Sequence, residues 1–92
     1  MSDTGSAAHF TIYTTPICPF CVSAKRLLTQ RGYRFREISA ADPEVRTEIS
    51  SRSGMRTVPV IYLGDRLIGG YMELAELDQK GELAKLLASP AE

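Results

Sequence analysis

Cys18-Pro19-Phe20-Cys21 holds both cysteines of the chain, two residues apart, and the rest of the sequence is arranged about it. Just upstream, Phe10-Thr11-Ile12-Tyr13 is rich in β-branched and aromatic residues and reads as a short strand. Just downstream, Val22, Ala24, Leu27 and Leu28 form an apolar helical stripe that stops at Gly32. Pro19 suits the first turn of that helix, where the N–H it lacks would find no intrahelical partner. The first cysteine therefore falls at or just before a helix N-terminus. Unpaired amides and the positive end of the helix dipole favour an anion there. A thiolate is such an anion, so Cys18 is expected to ionise below the ordinary thiol range and to act as a nucleophile at neutral pH. Cys21 lies one helical turn further on and is expected to serve as an internal resolving thiol.

Ninety-two residues make one small domain, and 43% hydrophobic residues suffice for a single modest core. Eleven basic and eleven acidic residues cancel, which gives no footing for a polyanionic partner such as nucleic acid. No apolar run approaches the roughly 18 residues of a membrane span. The start, Met1-Ser2-Asp3-Thr4-Gly5-Ser6, lacks the basic and apolar regions of a signal peptide, so a cytoplasmic location is expected. Structural disulfides do not persist in the cytoplasm, and a close cysteine pair there is redox-active or metal-binding. The single histidine, His9, stands outside any metal-ligand spacing, and two cysteines alone do not complete a zinc shell. No metal is expected.

Taken in order, residues 1–8 read as a disordered leader, 9–88 as the domain and 89–92 as a tail. A strand over 9–14 leads through Thr15-Pro16-Ile17 into a helix over 19–31. Tyr33 to Ile38 alternates apolar and polar residues, as an edge strand with one buried face would. Asp42-Pro43-Glu44 opens a second helix with an N-cap, a first-position proline and an acidic first turn, and this helix ends near Ser53-Gly54. Val58 to Leu63 is nearly all apolar, as a central strand covered on both faces should be. Gly64-Asp65 makes a two-residue turn into Arg66-Leu67-Ile68, and Gly69-Gly70 ends that strand. A third helix with Leu74 and Leu77 runs to near Gly81, and Glu82 to Leu87 adds a short fourth one. Two parallel strands joined by a crossover, then an antiparallel hairpin, give an α/β domain. A CxxC pair beside such a βαβ unit points to a thioredoxin-like redox domain.

Four features in sequence, Tyr13-Thr14, Cys18-Pro19-Phe20-Cys21, Arg56-Thr57-Val58-Pro59 and Gly69-Gly70 with Glu73-Leu74, make the chain resemble the dithiol glutaredoxins over about residues 9–88. The resemblance implies a thioredoxin-like (glutaredoxin) fold with a four-stranded mixed sheet in the order 2-1-3-4. It places helices 1 and 3 on one face and helix 2 on the other. It also implies a glutathione site beside Cys18, drawn from Tyr13, Arg56, Thr57, Val58, Pro59, Gly70, Tyr71 and Met72. By resemblance the Val58–Pro59 bond is cis and turns the Val58 amide and carbonyl outward, towards the cysteinyl part of glutathione. Read without it, Pro59 only starts an edge strand. Gly69-Gly70 is either plain turn punctuation or bare backbone that lets a ligand approach the free N–H groups of the third helix, which would take the γ-glutamyl carboxylate. Tyr13 reads equally as a flank of the substrate thiol or as a core aromatic. Arg56 and Arg52 read as cationic partners or as solvated charges. Phe20 is expected to be exposed at the tip.

The chain departs from the family at two places. Tyr71 and Met72 follow the two glycines where the family commonly has a small polar residue and then an acid or serine. Thr15 stands where it often has a lysine that helps hold glutathione. Glutathione is therefore expected to bind, but more weakly than in a typical member. The implied activity is glutathione-dependent thiol–disulfide exchange by a monomer, acting on glutathionylated or disulfide-bonded proteins, ribonucleotide reductase among the candidates. Two other readings compete. One is a redoxin fed by thioredoxin reductase; Thr57-Val58-Pro59 and Gly69-Gly70 favour glutathione over it, and the missing lysine weakens that preference. The other is an iron–sulfur carrier bridged by glutathione, which the presence of Pro19 and Cys21 disfavours.

Overall fold

The computed structural model describes residues 9–88, so the expected leader at 1–8 and tail at 89–92 lie outside the described residues. The elements in chain order are β1 (Phe10–Thr14), α1 (Pro19–Gln30), β2 (Phe35–Ser39), α2 (Pro43–Ser53), β3 (Val60–Leu63), β4 (Arg66–Gly69), α3 (Tyr71–Gln79) and α4 (Glu82–Ala88). The strands form one sheet in the order β2-β1-β3-β4. β1 runs parallel to β2 and antiparallel to β3, and β3 runs antiparallel to β4. This is the mixed sheet, in the order 2-1-3-4, that the resemblance implied.

Alternation along the strands divides the core in two. Phe10 and Ile12 of β1 and Ile61 and Leu63 of β3 point to one face, where Ala24 and Leu28 of α1, Leu74 of α3 and Leu83 of α4 cover them. Val60 and Tyr62 point to the other face, with Ile49 of α2 and the partly buried Tyr13 and Met55. All four residues of β3 are buried, which is why its sequence is continuously apolar. A two-pronged ion pair, from Arg31 Nε and Nη2 to the Asp78 carboxylate at 2.7–3.2 Å, ties the end of α1 to α3.

Two boundaries and one burial pattern differ from the sequence reading. β2 begins at Phe35 because the Tyr33 N–H is used to close α1, donating to the Leu28 carbonyl at 2.9 Å. Gly32, at φ 76°, makes the left-handed turn that lets it do so. β3 begins at Val60, opposite Tyr13, because Pro59 has no N–H to give to a ladder. The Val58–Pro59 bond is cis. Along β2 both Phe35 and Ile38 are half-buried, although alternation sends them to opposite faces. The expected single buried face is therefore corrected to partial burial on both. Asp42 caps α2 as read, its carboxylate accepting the Glu44 N–H at 2.8 Å.

Candidate active site

Cys18 is the N-cap of α1, in extended conformation, and its sulfur accepts the Cys21 N–H at 3.1 Å. The sulfur thus takes the place a serine or aspartate oxygen usually fills at a helix start, where an anion is favoured. The Cys18 and Cys21 sulfurs lie in disulfide contact, with Cα atoms 5.2 Å apart, inside the usual range for a bridge. Cys18 is half-buried, whereas Cys21 is only 2% exposed. The outer sulfur can meet another molecule and the inner one cannot. Cys18 Sγ also lies 3.7 Å from the Val58 carbonyl oxygen, which brings the segment before Pro59 against the nucleophile.

A groove of about 410 Å³ runs beside this contact, lined by Phe20, Met55, Thr57, Val58, Pro59, Gly70, Tyr71, Met72 and Glu73. The structure thereby brings together six of the residues singled out from the sequence: Thr57, Val58, Pro59, Gly70, Tyr71 and Met72. Phe20 is exposed, as expected, and stacks on Tyr71 with ring centroids 6.1 Å apart, so the tip of the cysteine loop meets the start of α3. Gly69 sits at φ 122°, and a Cβ there would fall 2.9 Å from Glu73 Cγ. A side chain at this position would both strain the backbone and push Glu73 aside.

The Glu73 carboxylate accepts the Gly70 N–H at 2.8 Å and caps its own helix. One of the N–H groups expected to face a ligand is therefore taken. The first helical amides, at Tyr71, Met72 and Glu73, have no carbonyl within the helix to bond.

Tyr13, Arg52 and Arg56 are not among the groove's lining residues. β1 alternation sends Tyr13 to the α2 face, where its hydroxyl accepts from Arg52 Nη2 at 2.8 Å. The Arg52 guanidinium lies 5.9 Å from the Tyr13 ring centroid and 5.4 Å from that of Tyr62. Both residues border a separate cavity with Thr11, Arg36 and Ile38. Of the two readings of Tyr13, these contacts fit the core aromatic at a strand end, with Arg52 as its partner there. Arg56 is exposed in the loop before Thr57, and its carbonyl accepts from Arg46 Nη2 at 3.0 Å.

Sequence reasoning missed Met55, which no motif marks, and a second pocket of about 350 Å³. That pocket is lined by Thr14, Thr15, Pro16, Cys18, Cys21, Val22, Lys25, Glu37 and Ser39. In it the Thr14 hydroxyl donates to Glu37 Oε2 at 2.6 Å, and Lys25 Nζ donates to the same oxygen at 2.9 Å. These two donors, Thr14 first, hold the Glu37 carboxyl below the usual carboxylate range. Its folded value lies below its unfolded one. The contacts thus stabilise fully above the unfolded value, and that stability is lost as pH falls through the folded value. Glu37→Gln should flatten the acid limb of the stability–pH curve. The effect should stay below about 1 kcal/mol because the side chains are partly solvated. Denaturant titrations across that pH range check this, and an acid limb equally steep in the variant would contradict it.

Among the described residues no group of three or more His, Cys, Asp or Glu is placed to hold a metal ion, and no helix is long and apolar enough to cross a membrane.

The family model described as Glutaredoxin matches residues 10–68. The chain is 42% identical over 79 residues to a glutaredoxin of Pseudomonas aeruginosa, covering 85% of this chain and 94% of that one. It is similar to the solution structure of a glutaredoxin from Brucella melitensis, with TM-score 0.79 and 44% identity over 92% of this chain and 94% of that one. It is also similar to the crystal structure of a buckwheat glutaredoxin–glutathione complex, with TM-score 0.79 and 26% identity over 88% of this chain and 77% of that one.

Proposed function

We propose, for a chain that belongs to the glutaredoxin family and is a thiol–disulfide oxidoreductase, that glutathione is its reductant and that glutathione–protein mixed disulfides and protein disulfides are its substrates. The observation that carries this reading is the Cys18 sulfur capping α1 at the end of a groove whose near wall is the Val58 carbonyl. The Cys18 thiolate attacks a substrate sulfur. The new bond joins Cys18 to that sulfur, and the other sulfur of the substrate leaves as a thiolate and takes a proton from water. A second glutathione then attacks the mixed disulfide, or Cys21 attacks Cys18 and the internal disulfide is afterwards reduced by glutathione. Exchange rates follow the thiolate fraction of the attacker and the pKa of the leaving thiol.

In the groove, the Val58 backbone pairs with the cysteinyl part of glutathione, and Thr57 and Pro59 shape the wall. Gly70 leaves room above, and the Tyr71 and Met72 amides receive the γ-glutamyl carboxylate. Arg56 offers a cation at the loop for the other carboxylate. The buckwheat relative was solved as a glutathione complex, which supports this occupant. In this reading the glutathione contacts come from one chain, as in a monomer, and the reductant is the thiol pool of the cytoplasm.

Reduction of a small glutathione mixed disulfide, coupled to glutathione and glutathione reductase, tests the reading. Turnover with that couple and not with thioredoxin reductase as the electron source supports it, and the reverse contradicts it. Thr15→Lys should raise the rate about three- to tenfold at low glutathione by adding a cation for the carboxylate. An unchanged rate would contradict the weak-binding part of the reading.

A further inference from the structure

Cys21 meets a difficulty that Cys18 does not. It must become an anion to attack, yet it is 2% exposed, and burial disfavours a thiolate. The helix start does not serve it, because the Cys21 N–H is directed at the Cys18 sulfur.

The pocket beside it holds one charged pair. Lys25 lies four residues on from Cys21 in α1, so the two side chains share a helix face. Lys25 Nζ is 2.9 Å from Glu37 Oε2, and the buried Thr14 hydroxyl holds that same oxygen at 2.6 Å. An ammonium has three donors, and the Glu37 contact uses one. Among the described residues lining this pocket, Lys25 is the cation and Glu37 the anion. β1 contributes the uncharged Thr14, and β2 adds Ser39. The ionisable residues of α3 near the cysteines, Tyr71 and Glu73, line the separate groove.

We propose that Lys25, fixed by Glu37 and Thr14, is a positioning residue for the resolving step, favouring the Cys21 thiolate that releases a protein target from Cys18. Glu37, tied by two donors, remains a carboxylate in the neutral range and anchors the lysine rather than exchanging protons. In the step itself Cys21 gives its proton to water and its thiolate attacks Cys18. The Cys18–Cys21 bond forms and the bond from Cys18 to the target sulfur breaks. The target sulfur leaves with the electron pair and is protonated by water, so the cysteine pair is oxidised and the target reduced. This inference rests on the exchange reading above.

The test is a single turnover in which Cys18 is loaded as a mixed disulfide with thionitrobenzoate, whose release is followed against pH. In Lys25→Met and Lys25→Gln, release at neutral pH should slow about tenfold and the profile should move to higher pH. Lys25→Arg should restore most of the rate and the profile, and Cys21→Ser should abolish intramolecular release. Normal loading with unchanged release profiles in both the Met and Gln variants would overturn the role of Lys25 alone. Failure of the wild-type protein to load at Cys18 would overturn the exchange reading and this inference with it.

Discussion

Cys18→Ser is expected to lower disulfide reduction by at least ~10³-fold, to the assay background, with every substrate. A serine hydroxyl at the same helix start remains protonated at neutral pH and is too weak a nucleophile to displace a thiolate from a disulfide sulfur. Cys21 cannot substitute, since it is 2% exposed and lies behind Cys18. Cys21→Ser should behave differently. Glutathione can resolve a mixed disulfide on Cys18 unaided, so deglutathionylation should persist within a few-fold, while reduction of protein disulfides should fall sharply. Parallel assays with a glutathione mixed disulfide and an intramolecular protein disulfide separate these outcomes. A Cys18→Ser protein with full activity, or a Cys21→Ser protein equally impaired on both substrates, would contradict the assigned roles.

Leu28→Ala should cost far more stability than truncation of an exposed apolar residue of α1. Leu28 is 0% exposed and packs with Phe10, Ile12 and Leu74 at the meeting point of α1, α3 and the sheet. Removing its outer carbons forfeits their transfer free energy and leaves a cavity, at about 2–5 kcal/mol. A domain of this size holds on the order of 5–14 kcal/mol in total, so the loss is a large share of it. The melting temperature should fall by roughly 8–40 °C. Val22→Ala, on the same helix but 50% exposed, should change stability by no more than about 0.5 kcal/mol. Thermal melts followed by circular dichroism compare them. A Leu28→Ala melt as close to wild type as that of Val22→Ala would contradict the assignment of this contact to the core.

Much of the architecture was legible because its signals are local. The Cys18-Pro19 start of α1 and the Asp42-Pro43 start of α2 announce helices within two residues of where they begin. The continuous apolar run of β3 matches burial on both faces. The boundaries that moved did so for equally specific reasons, the Tyr33 N–H spent on α1 and the N–H that Pro59 lacks. The groove was legible residue by residue only through the resemblance, since nothing local links Val58 to Gly70.

For Tyr13 the strand pattern could have chosen between its two readings. The alternation of Phe10, Ile12 and Thr14 against Thr11 and Tyr13 already places it away from α1, and its Arg52 partner lies 39 residues on. Met55 and the Thr14–Glu37–Lys25 cluster carry no sequence mark because they arise from three elements meeting, two of them joined by the β1–β2 register. Lys25 alone left a trace, its spacing of four from Cys21.

The proposed exchange depends on a Cys18 sulfur held as an anion by the start of α1. Alkylation of the fully reduced protein against pH, read by mass spectrometry of the two cysteines, tests it directly. Cys18 should react with a midpoint below neutrality, in the wild type and in Cys21→Ser alike, while Cys21 stays unmodified there. A midpoint for Cys18 in the ordinary thiol range, or first reaction at Cys21, would contradict the account.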